Sequence, residues 1–412
     1  PNANDTVVFG GDRELRVTAD GRKVIMLAAK KGGMLNRECV LTVWDAATGE
    51  CLSHREAPWG RESCLTPDGT GVFTYDSKAG EVRLLDLDTA AVRARFPLGQ
   101  PAGREWVMSS QTYAVSADGR ILAARMRHRN LRKWVNRYDF RVWDVASGRE
   151  LLAPAVEGEA EFALSSDGRL FALASAERLR LWETASCRPV GDIPAPDRDA
   201  VPPGQAFATA LAVSPDGRTI ATGHADSTIL LWDATLRGGV RGGPLTPAGA
   251  DALWADLAGA DARRAYAALW RLADDPERSL PLLRRRLRPV TPAGPEVLRP
   301  LLRALDSSRF GEREAAEREL RTLGDRARPD LLEALGANPS AEQRRRIEAV
   351  LAGWNRHGPL EGEALREVRA VQVLERIASA GAREFLEELA GGMESARLTR
   401  EAKAALRRME AR

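Results

Sequence analysis

Short apolar runs separated by turn residues fill the first part of the chain, and residues 213–233 show this pattern most clearly. Apolar residues ending at Val213 precede a Pro-Asp-Gly turn. A β-branched segment at 219–223, an Asp-Ser turn and an apolar run at 228–232 follow. Runs of this length, rich in β-branched residues and bounded by turn signals, are typical of strands. The stretch therefore predicts three strands joined by tight turns as an antiparallel meander.

The same unit recurs with a period of 48 to 50 residues. Its turn is an Asp-Gly pair whose Asp stands at positions 20, 68, 118, 167 and 216. Each unit closes on an apolar or aromatic residue followed by an acid: Trp44-Asp45, Leu85-Asp86, Trp143-Asp144, Trp182-Glu183 and Trp232-Asp233. Recurrence at a fixed period is the signature of a repeat architecture, in which stacked units bury a shared core.

With these turns and closing pairs, the chain resembles WD-repeat proteins, whose blades are four-stranded meanders of about 40 to 45 residues. The resemblance implies a WD40-type β-propeller of five visible blades over residues 1–237. The tryptophans expected in the blade cores are Trp44, Trp143, Trp182 and Trp232. The Gly-His pair that the family places before the first strand of a repeat is absent, and His224 stands just before the turn residue Asp226. We therefore expect blades held mainly by packing, without the family's His-Asp-Ser-Trp hydrogen-bond network.

The number of blades leaves two interpretations open, because five are fewer than this family usually has. Residues 6–10 are strand-like and would complete the last blade, which otherwise ends in a Gly-rich stretch. The other interpretation is an incomplete or N-terminally truncated propeller, since the sequence begins at Pro1 rather than Met. We favour the incomplete propeller.

The hydrophobic period changes from 2 to 3.6 after Gly243, which predicts a Gly-rich linker at 238–246 and an α-helical domain at 247–412. Thr246 before Pro247 is an N-cap followed by a first-turn proline, and Ser340 with Gln343 forms a capping-box pattern. Residues 306–351 resemble a HEAT-type helical repeat. The order of blades and helices resembles large bacterial WD-repeat proteins.

Composition narrows the choice of function and compartment. Lys and Arg number 61 against 58 Asp and Glu, and a net charge of +3 is too small for a dedicated nucleic-acid binder. No run approaches the roughly 18 apolar residues of a membrane span, and no secretory signal is present. We expect four buried free thiols in a reducing, cytoplasmic setting, because Cys39, Cys51, Cys64 and Cys187 show no C-x-x-C spacing.

Arg and Trp residues in the predicted blade loops form the candidate binding surface. Blades one and three carry insertions of about eight or nine residues between their second and third strands. The third-blade insertion, residues 126–137, places five Lys or Arg around one Trp, and both Arg and Trp are enriched at binding hot spots. The candidate residues are Trp59, Arg61, Arg104, Trp106, Arg127, Arg129, Arg132, Lys133, Trp134, Arg137 and Arg198. The alternative for this loop is a solvated hairpin paired with local acids.

The sequence offers no constellation for catalysis. Its four His residues are scattered, and it has no H-E-x-x-H, no G-x-S-x-G elbow, no Walker loop and no dinucleotide fingerprint. We expect no enzyme activity, no cofactor and no metal. The preferred function is a protein-interaction scaffold with partners that offer acidic segments. The alternative is nucleic-acid or polyanion binding through the Arg-rich loop and the Arg runs 284–286 and 344–346, which we otherwise expect to be solvated helix faces. An enzyme with an unrecognised site is the least favoured interpretation.

Overall fold

The computed structural model describes residues 7–9, 13–18, 21–29, 39–57, 63–76, 78–98, 106–130, 136–156, 158–195, 208–237, 243–354 and 359–410. The chain divides into two compact units, Pro1–Gly239 and Val240–Glu410. The first unit is built of strands and the second of helices. No helix of the described part is long and apolar enough to cross a membrane.

The described strands of the first unit form five antiparallel sheets, in which strands adjacent in sequence pair with each other. The first sheet contains β1 (Val7–Phe9), β2 (Arg13–Val17), β3 (Lys23–Ala29), β4 (Cys39–Asp45) and β5 (Cys51–Ala57). The second contains β6 (Cys64–Leu65), β7 (Gly71–Asp76), β8 (Glu81–Asp86) and β9 (Val92–Pro97). The third contains β10 (Trp106–Val115), β11 (Ile121–Asn130), β12 (Asn136–Asp144), β13 (Arg149–Leu152) and β14 (Ala155–Val156), the last paired with β12. The fourth contains β15 (Glu161–Leu164), β16 (Leu170–Ala174), β17 (Arg178–Glu183) and β18 (Arg188–Pro194). The fifth contains β19 (Ala210–Val213), β20 (Thr219–Gly223) and β21 (Ile229–Asp233).

The Asp-Gly turns share one hydrogen-bond pattern, which explains why the motif recurs. In the third sheet, the Ser116 hydroxyl donates to Asp118 Oδ1 at 2.7 Å and accepts from the Ile121 amide at 3.0 Å. Gly119 lies at φ +71°, a left-handed conformation that favours glycine. The same side-chain bonds recur at Thr66 with Asp68, Ser165 with Asp167 and Ser214 with Asp216. A local motif thus fixes the first hairpin of the second, third, fourth and fifth sheets.

The acid that closes each repeat caps the turn after the third strand. Asp45 Oδ1 accepts hydrogen bonds from the backbone amides of Ala47 at 3.0 Å and Thr48 at 2.8 Å. These bonds, led by the one from Thr48, hold the pKa of Asp45 below its ordinary value. Asp86 and Asp144 accept equivalent bonds in the second and third sheets. The closing acids are therefore structural caps.

Apolar clusters fill the spaces between consecutive sheets. Between the second and third sheets, Phe96 packs 5.9 Å from Trp143, measured between ring centroids. Between the third and fourth, Phe140 and Phe171 pack with Trp182. The expected core positions of Trp143 and Trp182 are confirmed, because both are buried. Trp44 and Trp232 are only half-buried, so their full burial was a wrong prediction.

The strands of the first and fifth sheets pair differently from what the sequence predicted. Strand β1 pairs with β2, with Val7 opposite Leu15, and so does not complete the last sheet. The fifth sheet has three described strands, with β21 at its edge.

The fifth sheet also has a hydrogen-bond network that we did not expect. The Trp232 indole donates to Thr222 Oγ1 at 2.8 Å, and that hydroxyl lies 2.9 Å from Nε2 of His224. Packing alone therefore does not hold this blade, since His224 reaches Thr222 from the turn.

The described helices are α1 (Pro247–Leu257), α2 (Ala262–Ala273), α3 (Pro276–Arg286), α4 (Pro295–Ala304), α5 (Phe310–Leu323), α6 (Arg328–Gly336), α7 (Ala341–Trp354), α8 (Gly362–Ile377), α9 (Ala380–Ala390) and α10 (Arg397–Glu410). The predicted N-caps at Thr246 and Ser340 are confirmed, whereas the Gln343 side chain of the predicted capping box donates to the carbonyl of Leu302 at 2.8 Å. The Thr246 hydroxyl accepts from the Gly249 amide, and the Ser340 hydroxyl accepts from the Gln343 amide, each at 3.1 Å.

The helices build two cores. Helix α8 packs against α1 and α2 as well as α9 and α10, although α4–α7 lie between them in sequence. The guanidinium of Arg369 in α8 is buried and donates to the carbonyls of Leu257 at 2.7 Å and Gly259 at 3.0 Å, at the end of α1. Helices α4–α7 surround a core of their own, which includes Leu320 and Ile347. In a simple solenoid each repeat contacts only its neighbours. The packing of α8 against α1, which is distant in sequence, does not fit that description.

Two side-chain expectations were wrong. Arg346 is buried and binds Glu317 at 2.6 Å and Glu342 at 2.7 Å, so the run 344–346 is not wholly a solvated face. The periodicity places Arg346 next to Ile347 on the inner side of α7, where acids of α5 compensate its charge. All four cysteines are free, as expected, but only Cys39 and Cys64 are buried, since Cys187 is half-buried and Cys51 is exposed.

Candidate interaction surface

The third sheet differs from the others in the length of its strands. Strands β10 and β11 each have 10 residues and β12 has 9, whereas strands of the fourth sheet have 4 to 7. Pairing continues as far as Trp106 opposite Asn130 and Arg129 opposite Asn136. The predicted loop at 126–137 is therefore mostly strand, because residues 126–130 extend β11 and residues 136–137 begin β12. We call this extended part of β10, β11 and β12 the long hairpin.

A cluster of charged and aromatic groups holds the base of the long hairpin to the fourth sheet. Arg125 forms an ion pair with Glu161 and donates to the carbonyl of Ala160 at 3.1 Å. The Tyr138 hydroxyl donates to Glu159 Oε1 at 2.9 Å, and the Arg125 guanidinium lies 6.0 Å from the centroid of the Tyr138 ring. These contacts link β11 and β12 to the segment that leads into β15. They orient the hairpin without using its outer end.

The environment of Tyr138 shows that the lower end of the long hairpin, next to the fourth sheet, is partly shielded from water. Burial, followed by the hydrogen bond to Glu159, raises the pKa of the Tyr138 hydroxyl above its ordinary value. Arg127 opposes the shift through its own hydrogen bond and positive charge. Arg127 is thus half-buried at the base of the hairpin and acts on Tyr138. In the described structure, Arg127 therefore interacts with Tyr138 inside the molecule.

The candidate residues fall into three groups. Arg127 belongs to the base cluster. Three others have their backbones in the long hairpin: Trp106 begins β10, Arg129 lies in β11 and Arg137 lies in β12. Arg137 stands opposite His128, so pairing brings these three backbone positions to one end of the sheet. The remaining candidates lie outside the described residues: Trp59, Arg61, Arg104, Arg132, Lys133, Trp134 and Arg198.

Arginines on other described strands are paired with acids nearby. Arg83 binds Glu81 at 2.7 Å on the second sheet, and Arg180 binds Asp192 at 3.0 Å on the fourth. Exposed pairs of this kind stabilise little, but they neutralise the surface. They agree with the balanced charge of the whole chain.

No group of three or more His, Cys, Asp or Glu side chains in the described ranges is arranged to hold a metal ion. The two histidines whose side chains are described, His54 and His224, each lie within hydrogen-bond distance of a threonine hydroxyl, Thr42 and Thr222.

Sequence reasoning missed a second surface, on the fifth sheet. Ile229 and Leu231 of β21 are each 72% exposed, the largest exposed fractions among the large apolar side chains described. The alternation of β21 identified a strand but did not show which face lacked a neighbour. The signal available in the sequence was a comparison of Ile229 and Leu231 with the residues at the same positions in the earlier repeats.

Comparison with known proteins bears on the strand unit. Residues 202–233 match the family described as "WD domain, G-beta repeat". The search of curated proteins finds no match to this chain. Similar solved structures include the Dos1 propeller, with 16% identity and a TM-score of 0.39, covering 54% of this chain and 57% of the other. Another is the Cps50 (Swd1) β-propeller domain of Myceliophteria thermophila, with 11% identity and a TM-score of 0.34 over 56% of this chain and 67% of the other. A third is the hydrazine synthase of Kuenenia stuttgartiensis, with 13% identity and a TM-score of 0.29 over 53% and 76%.

These likenesses describe only part of each molecule, and this chain spans little more than half of the Dos1 propeller structure. The matched repeat ends in Trp232-Asp233 and includes the Asp-Gly turn of the fifth sheet. The four preceding sheets carry the same turns and, in order along the chain, the same meander. Residues 202–233 therefore match a WD repeat, within a first unit of five antiparallel sheets that a helical unit follows in the sequence.

Proposed function

We propose that this chain is a non-enzymatic protein-interaction scaffold and that the long hairpin is its principal contact with a partner. The observation that supports this proposal most directly is the extension of β10, β11 and β12 beyond the strand lengths of the fourth sheet. Propellers of WD-repeat type generally bind proteins. Trp106, Arg129 and Arg137 have their backbone positions in this extension.

An acidic protein segment is the partner class that fits this surface. The acids of the base cluster are already bound within the molecule, since Arg125 pairs with Glu161 and the Tyr138 hydroxyl donates to Glu159. The segment 126–137 carries five Lys or Arg around Trp134. One aromatic residue among cations is suited to a short acidic peptide with an apolar side chain. A phosphate-backbone binder needs many cationic contacts along a surface, and such contacts give a steep dependence on salt.

Binding assays with two kinds of probe test the proposal. A panel of acidic peptides and a random-sequence DNA duplex are titrated against the full chain at several salt concentrations, with fluorescence anisotropy as readout. We expect peptide binding with a modest salt slope. Trp134→Ala and the Arg132→Ala/Lys133→Ala double variant should each weaken that binding at least about tenfold. Lys78→Glu, at an exposed turn of the second sheet, is the matched charge control and should leave it unchanged.

Two outcomes would reject this assignment. Submicromolar DNA binding that is independent of sequence at physiological salt would make the hairpin a polyanion site. Peptide binding that neither variant weakens would return residues 126–137 to a solvated hairpin.

We further propose that residues 306–351 form a HEAT-type repeat that supplies a second binding surface, as in bacterial WD-repeat proteins. Support comes from α5, α6 and α7, which pack around a core separate from that of α1, α2 and α8. A cytoplasmic location belongs to the same proposal, and the four free cysteines support it because reducing compartments keep thiols unpaired.

A further inference from the structure

One face of a blade packs against the blade that follows it, and the strand that ends in the closing acid shows this most clearly. Two apolar positions, two residues apart on that strand, contribute to the face. They are Leu41 and Val43, Val82 and Leu84, Phe140 and Val142, and Leu179 and Leu181. All are buried except Val43, which is half-buried and packs on the same cluster. In the first three sheets, these residues share clusters with residues of the next sheet. We call this side of a blade the leading face.

The leading face of the fifth sheet is uncovered. Its two positions on β21 are Ile229 and Leu231, each 72% exposed. Leu231 stands opposite Ala221, and Ala221 stands opposite Ala212, which is exposed as well. The row carries no charged residue. Exposed apolar rows of this kind mark sites of association.

The opposite side of each blade, its trailing face, packs against the blade before it. Leu65 and Val72 of the second sheet contribute to it, as do Val115, Leu122 and Trp143 of the third. Leu65, Val72, Leu122 and Trp143 are buried. The corresponding row of the first sheet is Val17 opposite Val24, and Val24 opposite Trp44. Val17 is 37% exposed, and Val24 and Trp44 are half-buried.

The Asp-Gly turn of the first sheet also lacks the close neighbour that the turns of the second and fourth sheets have, whereas a Cβ atom on Gly119 of the third sheet would meet only Pro67, at 3.9 Å. A Cβ atom placed on Gly69 would lie 2.6 Å from Thr18 of the preceding sheet, and one on Gly168 would lie 2.9 Å from Ser116. Those turns are seated tightly on the blade before them. A Cβ atom on Gly21 meets no described atom within 4 Å. The first sheet therefore offers both an apolar row and an unseated turn.

We propose that two copies of this chain associate head to tail, with the leading face of the fifth sheet of one copy covered by the trailing face of the first sheet of the other. Each chain carries both halves of a contact that it makes between its own blades. Within one chain the two halves do not cover each other, because Ile229 and Leu231 remain exposed. Strand β1 does not cover them either, since it pairs with β2. The interface is heterologous, so each copy keeps one unused face after the first contact.

Blocking each face separately tests this arrangement. Leu231→Glu places a charge on the leading face and Val17→Glu places one on the trailing face, both at exposed positions where folding tolerates the change. The chain is measured by sedimentation velocity from about 1 to 100 μM, a range suited to contacts of micromolar affinity. We expect concentration-dependent association of the wild type, and at least about tenfold weaker association of either variant alone.

The mixture of the two variants is the decisive sample. Each variant retains the face that the other lacks, so an equimolar mixture should form dimers and stop there. Leu332→Glu, at an exposed leucine of α6, is the control for non-specific apolar association and should behave like the wild type. Ile229→Glu is a second variant of the leading face with the same expected result. Unchanged circular dichroism and melting temperature verify that the variants are folded.

Several results would overturn the proposal. They are a wild type that stays monomeric throughout the range, a face variant that associates like the wild type, and a mixture of the two variants that remains monomeric. The same holds if the wild type forms a cross-link within one chain between cysteines introduced at positions 17 and 231, because that cross-link would mean the two faces close on each other.

Discussion

The buried ion pair between Glu375 of α8 and Arg408 of α10 predicts a large, strongly coupled effect on stability. Arg408 Nε lies 3.0 Å from Glu375 Oε1, and Nη2 lies 2.9 Å from Oε2, a two-pronged contact. The side chains are 0% and 7% exposed, respectively. Removing one partner of such a pair costs about 3–5 kcal/mol, because the other charge stays buried without compensation. We expect Glu375→Leu and Arg408→Met each to lower the free energy of unfolding of the helical unit by that amount.

The double variant should recover most of this loss. With both charges gone, apolar side chains of similar volume fill the space, and such exchanges are often neutral or stabilising by about 1–4 kcal/mol. The assay is urea unfolding followed by circular dichroism at a wavelength where helices dominate the signal. Arg383→Met is the control. Arg383 pairs with Glu410 at 4.0 Å on exposed surface, so its loss should cost at most about 1 kcal/mol.

Additive effects of the two single substitutions would refute the interpretation of Glu375 and Arg408 as a coupled buried pair. If the two single substitutions each cost less than about 1 kcal/mol and sum to the double, the pair is solvated and burial does not amplify it.

Three further predictions follow from single side chains. Leu181→Ala should lower the free energy of unfolding of the strand unit by about 2–5 kcal/mol, whereas Leu231→Ala, at the equivalent but exposed position, should change it by at most about 0.5 kcal/mol in dilute solution; equal effects would contradict the assignment of faces. Thr222→Val removes the acceptor of the Trp232 indole and should lower the free energy of unfolding by about 1–3 kcal/mol in thermal unfolding, and an unchanged melting temperature would contradict this role of the bond. Burial raises the pKa of Glu367 from 4.5 to about 7, so the folded state binds a proton more tightly than the unfolded state. Stability should then fall as pH rises from about 4.5 to 7, and Glu367→Gln should flatten that part of the pH profile.

The sequence predicted the features that neighbouring residues determine. The Asp-Gly turns and the closing acids could be identified because their hydrogen bonds join residues two to five positions apart, as with Ser116 and Ile121. The caps at Thr246 and Ser340 are local for the same reason. Periodicity also separated the strand unit from the helical unit.

Features set by distant partners were missed. Residues 126–137 were interpreted as a loop because turn spacing does not reveal whether strands continue in register through an insertion. Arg346 was placed on a solvated face because its acids Glu314 and Glu317 belong to another helix. The exposure of Leu231 depends on the absence of a neighbouring sheet among the described residues, and no residue near it in sequence indicates that absence.

The contact between Arg369 and the end of α1 has a consequence for biosynthesis. Its guanidinium binds the carbonyl of Leu257 across 112 residues of sequence. At about 5–20 residues per second, a ribosome needs roughly 6 to 22 s to synthesise that interval. During this time the last carbonyls of α1 must bind water, and the apolar sides of α1 and α2 wait for α8. The strand unit has already been synthesised by then, so the nascent chain carries it ahead of a helical unit that is still open, and a chaperone would act in this interval.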